Sequence, residues 1–418
     1  MLVCQLGSLT TTRSALQETL LDEERLIDLL DRAGILTHGR SHGIQTHRTT
    51  LELLDDRGQN LVVHLIQTAC IDVERRKAII DSLEALAQVP PERVLRLACV
   101  GDMMLGVNYP SPRLTKNDGR NLFDDVREYL VGADFALGNL EGVLLDKGGV
   151  PRYGTDSKDA HMFRMPQRYA QRFVDAGFDF LSMANNHSLD FGAQAIRSTM
   201  QTLKSAGIAY AGVQNMCDYA IVERDGIRYG ICAFAPNKLM CNLHDLALGE
   251  RLVKKLRNEL KCDIVIVSIH GGAEGATAYR VTRKNETFIG YSRGNVYAFA
   301  HRCIDAGADL VYGHGPHVVR GMELYKGKLI AYSLGNFCTP VGMKLNGRCG
   351  YAPVLIVELT TEGEFRGGRI IPAIQPYGAG PKIDTTGTVI RELQNLSRSD
   401  FPESKLVISS DGELSVKE

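Results

Sequence analysis

Along much of this chain, short apolar runs end abruptly in polar residues, and a helical segment or loop follows each. The runs are Leu97–Val100, Phe135–Leu137, Phe178–Met183, Ile264–Ile269, Leu310–Tyr312 and Leu329–Tyr332. Continuous apolar runs of this length suit strands buried on both faces. Helical periodicity at Ala193–Ala206 and Val296–Ala306 fits between them. The alternation predicts an α/β layered domain. Residues 1–92 read differently. Leu20–Ala33 has helical periodicity and opens on Asp22, Glu23 and Glu24, acidic residues that favour a helix N-terminus. Thr49–Leu54 and Leu61–Ile66 flank Asp55-Asp56-Arg57-Gly58, a hairpin signal, and Val73–Ala87 predicts a second amphipathic helix. Pro90-Pro91 then punctuates the chain. The expected organisation is a small α+β unit over 1–92, a main domain over 93–385, and an extension over 386–418. In that extension a helix from Val389 precedes a hairpin around Asp411-Gly412.

Composition narrows the function classes. Lys and Arg total 48 against 49 Asp and Glu, a net charge of −1, which predicts neither nucleic acid nor anionic membrane as a partner. No stretch approaches the roughly 18 apolar residues of a membrane span. Met1–Gln17 lacks the pattern of a signal peptide. The ten cysteines are scattered and form no C-x-x-C pair, as suits a reducing compartment. A cytoplasmic protein is expected.

The chemistry is positional. Leu97–Val100 leads to Asp102, Phe135–Leu137 to Glu141, and Phe178–Met183 to Asn186 and His187. Ile264–Ile269 ends at His270, and Leu310–Tyr312 at Gly313-His314-Gly315-Pro316-His317. In α/β sheets, sites form outside the carboxyl ends of strands, where loops converge. Five strand ends carrying Asp, Glu, Asn and His therefore predict one metal site. Oxygen and imidazole ligands without cysteine suit Mn, Zn, Fe, Mg or Ca. His187 and Asp190, three residues apart, suggest an imidazole–carboxylate pair for acid/base work. Asp190 as a helix N-cap is an equally open reading. Arg293 and Asn295, at the start of the Val296–Ala306 helix, and Arg320 are candidates for holding an anionic substrate. Cys232, Cys303 and Cys338 sit in apolar segments and are expected in the core.

Several segments together resemble the CapA family of poly-γ-glutamate capsule synthesis, a branch of the calcineurin-like metallophosphoesterases. They are Gly101-Asp102-Met103-Met104-Leu105-Gly106, Asn139-Leu140-Glu141-Gly142, Phe163-Arg164 with Pro166, Ala184-Asn185-Asn186-His187 with Asp190-Phe191-Gly192, Ala306-Gly307-Ala308-Asp309, Gly313-His314-Gly315-Pro316-His317 and Tyr332-Ser333-Leu334-Gly335-Asn336-Phe337. The resemblance spans roughly residues 96–375. It implies a calcineurin-like four-layer sandwich, two mixed β-sheets flanked by helices. By that likeness Asp102 and His317 serve a first metal position, and Asn186, His270 and His314 a second. Glu141 stands at the bridging position, His187 is the acid/base group, and Glu274 matches a family glutamate beside the site and joins the candidates for substrate contact.

Two departures shape the expected chemistry. Met104 stands where the phosphoesterases have a histidine, which weakens the first metal position and leaves one or two divalent ions per chain open. Gly271 stands where the CapA branch usually has Trp, which predicts a more open pocket. The leading expectation is a metal-dependent hydrolase, with water activated at the metal and His187 as acid/base, acting on an anionic phosphoester or peptide-like substrate. The first alternative is a peptide epimerase that exchanges a Cα proton, for which a lasso-peptide relative gives precedent by resemblance. The second is a non-catalytic, polyanion-binding assembly factor. A homo-oligomer is compatible with any of these.

Overall fold

The computed structural model of the chain describes strands β1 (Leu36–His38), β2 (Arg48–Leu54) and β3 (Asn60–Ile66), then residues 93–154 and 161–417. The chain divides into two compact units, Met1–Arg93 and Val94–Glu418. In the first, β2 and β3 pair antiparallel with Leu51 opposite Val63, and β1 pairs with β2. The helices expected over Leu20–Ala33 and Val73–Ala87 lie outside the described residues.

The strands of the second unit follow in chain order. They are β4 (Val94–Met103), β5 (Phe135–Leu140), β6 (Val143–Leu144), β7 (Arg164–Met165), β8 (Phe180–Ser182), β9 (Ala209–Ala211), β10 (Tyr219–Arg224) and β11 (Ile227–Phe234). Next come β12 (Ile264–His270), β13 (Glu286–Phe288), β14 (Tyr291–Gly294), β15 (Leu310–His314), β16 (Met322–Tyr325), β17 (Lys328–Ala331) and β18 (Asn336–Cys338). The series closes with β19 (Val354–Thr360), β20 (Phe365–Ile371), β21 (Ala373–Ile374), β22 (Lys382–Ile383), β23 (Leu406–Ile408) and β24 (Glu413–Val416). One mixed sheet has the order β23-β24-β20-β19-β4-β5-β8-β9, with β18 also pairing β4. The other has the order β10-β11-β12-β15-β17-β16. Each of the six apolar runs read in the sequence overlaps a strand of one of these sheets.

The two sheets share a core because their strands alternate. Ile264 and Ile266 of β12, and Leu310 and Tyr312 of β15, turn toward the large sheet and join the cluster that holds Leu97, Leu137 and Leu355. Phe135 stacks on Tyr229 across that interface, ring centroids 4.6 Å apart. The intervening residues Val265, Val267, Ile269 and Val311 face the other way and pack on Leu252, Phe299 and Cys303 of the helices Leu246–Lys254 and Val296–Asp305. A period of two along each strand thus serves two apolar layers, which is why these runs are apolar on both faces, with Ser268 the one polar residue inside the β12 run. Helix Gly192–Ser205 buries Ala195, Ile196, Thr199 and Leu203, the spacing of one helical face. Cys232, Cys303 and Cys338 are buried. The helix in the tail spans Thr388–Asp400, and the hairpin β23–β24 adds to the edge of the large sheet. Among the described residues no helix is long and apolar enough to cross a membrane.

Candidate metal centre

The parallel strands β4, β5 and β8 of one sheet, and β12 and β15 of the other, all end at the same region. Register then sets the residues abreast. Asp102 pairs with Asn139 on one side and Asn336 on the other, and His270 pairs with His314 on the same rung of the second sheet. The result is a buried cluster of Asp102, Glu141, His270 and His314, all 0% exposed. His270 Nδ1 lies 3.0 Å from His314 Nδ1, 3.6 Å from Glu141 Oε2 and 3.8 Å from Asp102 Oδ1. His314 Nδ1 lies 3.6 Å from Asp102 Oδ1. Gly315 has φ +107, and a Cβ there would stand 3.1 Å from the His270 ring, so only glycine lets this loop close over the pair.

Neighbours hold the cluster in shape. Asn139 Nδ2 donates to Asp102 Oδ1 (2.8 Å) and to Glu141 Oε2 (2.7 Å), bridging the two carboxylates. Asn185 Nδ2 donates to Asn139 Oδ1 and to the Leu140 carbonyl. His317, at φ +59, sets Nδ1 3.0 Å from Asp102 Oδ2 and 3.1 Å from Asn336 Oδ1. Asn186 Oδ1 lies 2.6 Å from His270 Nε2, and Ser268 Oγ lies 2.8 Å from His314 Nε2. Asn139, Asn336 and Ser268 are functional neighbours that the sequence reading did not assign. Ser268 carried a signal all the same, as the lone polar residue of its run, two positions before His270 and therefore on its face.

Electrostatics follow from this crowding. Burial first, and the charge of Asp102 second, push the Glu141 carboxyl up to about 7. Burial would also raise Asp102, yet hydrogen bonding and charge from His317, with His314, hold it below the usual range. Burial, aided by His314 and Arg293, drives His270 far down. Burial lowers His314 to about 4. For His317 burial is outweighed by Asp102, which lifts it to about 9.

The donor set fits a divalent cation. Asp102, His270 and His314 bring one ligand atom each within 4.8 Å of one another. Glu141 Oε1 is buried without a hydrogen-bond partner, an uncompensated acceptor of the kind a cation satisfies. Oxygen and imidazole donors without thiolate suit Mn, Zn, Fe, Mg or Ca.

At the edge of the cluster His187 Nδ1 lies 2.7 Å from Asp190 Oδ2, and its Nε2 lies 3.8 Å from Glu141 Oε1. Asp190 also accepts the Phe163 amide at 2.7 Å, and Phe163 covers the His187 ring with centroids 4.2 Å apart. Asp190 is not an N-cap. The capping position of helix Gly192–Ser205 is Phe191, with no side-chain cap bond. Burial opposes the His187 charge, but Asp190 and Glu141 more than offset it and raise its pKa.

The candidates for substrate contact separate. Glu274 Oε2 lies 3.9 Å from His317 Nε2, and its Oε1 lies 2.8 Å from Arg293, which also donates to the Gly272 carbonyl. Both therefore border the cluster. Asn295 does not join them. Its side chain caps helix Val296–Asp305 by accepting the Ala298 amide, and donates to the Arg283 carbonyl. Arg320 is turned inward as well. Fully buried, it donates to Glu286 at 2.9 and 2.8 Å and to the Ala278 and Ala273 carbonyls. The expectation that Arg320 and Asn295 hold substrate is thus replaced by structural roles. The more open pocket expected from Gly271 is also corrected. A Cβ there would stand 2.4 Å from Leu243 Cδ2 and 3.1 Å from Val296 Cγ1, so other side chains already fill that space.

The fold and the site define a two-sheet α/β protein with a buried, metal-competent Asp/Glu/His centre at its strand ends. Over residues 96–340 the chain matches the family described as bacterial capsule synthesis protein PGA_cap, and it belongs to that family. It is 28% identical over 279 residues to the capsule biosynthesis protein CapA of Bacillus anthracis, covering 62% of this chain and 63% of the relative. To the PGA biosynthesis protein CapA of Bacillus subtilis (strain 168) it is 26% identical over 259 residues, covering 58% and 63%. The chain thus spans under two thirds of the length of these relatives. Among solved structures it is loosely similar to a 5'-nucleotidase precursor from Thermus thermophilus, with 13% identity and a TM-score of 0.37 over 76% of this chain and 61% of that one. The likeness to purple acid phosphatase PPD1 from yellow lupin is of the same order, with 10% identity and a TM-score of 0.35 over 82% and 60%.

Proposed function

We propose that this protein is a metal-dependent enzyme in which His187 transfers protons at an anionic phosphoester or peptide-like substrate. The observation that carries the reading is the His187–Asp190 pair set against the buried cluster, with His187 Nε2 facing Glu141. A divalent cation held by the cluster would polarise a substrate oxygen and lower the pKa of water beside it. The protein's own residues do the rest. Asp190 holds the Nδ1 proton of His187 and so leaves Nε2 to give or take a proton. Phe163 restricts the ring from one face, and its amide bond to Asp190 keeps the carboxylate from rotating away. Glu274 and Arg293 border the cluster on the His317 side. The names of the Bacillus relatives connect them with capsule and PGA biosynthesis, which agrees with an anionic substrate.

The test compares the wild type with His187→Ala and Asp190→Asn on a panel of phosphomonoesters, phosphodiesters and acidic peptides, with metal content measured alongside. Both variants should retain metal and lose roughly 10²- to 10⁴-fold in turnover. Full turnover in His187→Ala would remove the reading.

One observation favours a second reaction class. Met104, fully buried, puts an apolar thioether where the phosphoesterases have a histidine ligand. A centre with fewer ligands suits the holding of a carboxylate while His187 exchanges a proton at a neighbouring carbon, as in epimerisation. Incubation with acidic peptides in deuterated water distinguishes the two. Deuterium at Cα supports exchange; cleavage without it supports hydrolysis.

A further inference from the structure

Ser268 interrupts the apolar run of β12 and is fully buried behind the two histidines. Its Oγ lies 2.8 Å from His314 Nε2. The hydrogen bonds around it constrain where the ring protons sit. Asn186 Oδ1, 2.6 Å from His270 Nε2, can only accept, so His270 carries its proton on Nε2. The two Nδ1 atoms, 3.0 Å apart, then share the proton of His314, which sits on its Nδ1. In that arrangement His314 Nε2 is bare, and the Ser268 hydroxyl donates to it.

For His314 to offer Nδ1 to a cation beside Asp102 and His270, its proton has to move to Nε2. Its neighbour there must then accept rather than donate. A hydroxyl does either by rotating its O–H bond, whereas a carbonyl accepts only and a methyl group does neither. We propose that Ser268 is a positioning residue that accommodates this change of tautomer. The centre then binds a single cation through Asp102 and the Nδ1 atoms of His270 and His314, while Asn186 orients His270 instead of binding the cation. The inference rests on the metal-enzyme reading and adds to it the number of ions, the nitrogen each ring presents, and a role for Ser268.

The test is cation binding by the full chain, with Mn²⁺, Zn²⁺ and Co²⁺ each titrated against a competing chelator and the bound ion counted by mass spectrometry. The wild type should hold one ion per chain. Ser268→Ala should weaken binding roughly 10- to 100-fold and shift the visible Co²⁺ absorption, since loss of a ligand's supporting partner has effects of that size. Ser268→Thr should restore both. Ser268→Cys, close in volume but a weak acceptor, should behave as the alanine variant and covers the case in which that variant misfolds. Asn186→Ala should still hold one ion, more weakly. Unchanged affinity in Ser268→Ala and Ser268→Cys overturns the inference and leaves the metal-enzyme reading standing. So does a wild type with two ions, one of which Asn186→Ala loses. A wild type that binds none of the three ions overturns both.

Discussion

Replacing Arg320 with methionine tests what the tertiary structure makes of a residue that the sequence offers as a substrate contact. The guanidinium is 0% exposed, and its partner Glu286 is 5% exposed at the side chain. Two parallel bonds of 2.9 and 2.8 Å join them, and two backbone carbonyls take further N–H groups. Methionine fills much of the same volume but leaves the Glu286 carboxylate buried with its charge uncompensated. Breaking a buried pair from one side costs about 3–5 kcal/mol, because the desolvation penalty stays while the attraction is lost. At a urea slope of about 3 kcal/mol/M, this moves the unfolding midpoint down by roughly 1–1.7 M. Glu286 also accepts the Ala273 amide at 2.8 Å, so the loss loosens the segment that carries Glu274 to the cluster. The assay is equilibrium urea unfolding of Arg320→Met, Glu286→Leu and the double variant. The double variant should recover most of the loss, since it removes both charges. A single variant with an unchanged midpoint but a raised KM would refute the reasoning and return Arg320 to the substrate site.

Two further outcomes follow from packing and charge. Gly271→Ala should destabilise the protein by about 1–3 kcal/mol through overpacking against Leu243, and Leu243→Ala in the same chain should relieve it; a neutral single variant in thermal melting would contradict this. In metal-free protein the pH dependence has a definite sign. Glu141, raised to about 7, and His317, raised to about 9, each contribute stability that is present below the unfolded value and lost as pH climbs through the folded one. His270 and His314, held down by burial, act in the opposite sense below about pH 6.5, so the melting temperature of the metal-free protein should fall between about pH 7 and 9. Added cation should reverse most of that fall at the alkaline end, because it replaces the protons. A metal-free melting temperature that rises across this window would overturn the electrostatic assignment.

Much of the candidate metal centre was legible before any fold was known. Asp102, Glu141, His187, His270 and His314 each follow an apolar run, and a parallel strand buried on both faces delivers whatever stands at its carboxyl end to a common edge. The pairing of His187 with Asp190 was legible as well, though only as one of two readings. Spacing alone cannot distinguish a carboxylate that caps a helix from one that turns back to a ring three residues earlier. The arginines were not legible, because a guanidinium looks the same in a sequence whether it meets solvent, substrate or a buried glutamate.

What the sequence by itself determined is local and periodic. It set where strands end, which residue types those ends carry, and therefore the hard oxygen and imidazole character of the centre. Tertiary structure decided what depends on distant segments meeting. The β4–β5 and β4–β18 registers place Asn139 and Asn336 on either side of Asp102. The β12–β15 register sets His270 beside His314 with Ser268 behind them. The turn of the segment between β12 and β14 spends Arg320 on Glu286, and Leu243 fills the space above Gly271. Residues from tens of positions apart to, for Asp102 and Asn336, more than two hundred share these contacts. Which nitrogen faces inward, which charge is compensated and which volume is filled are properties of that packing, not of any one segment.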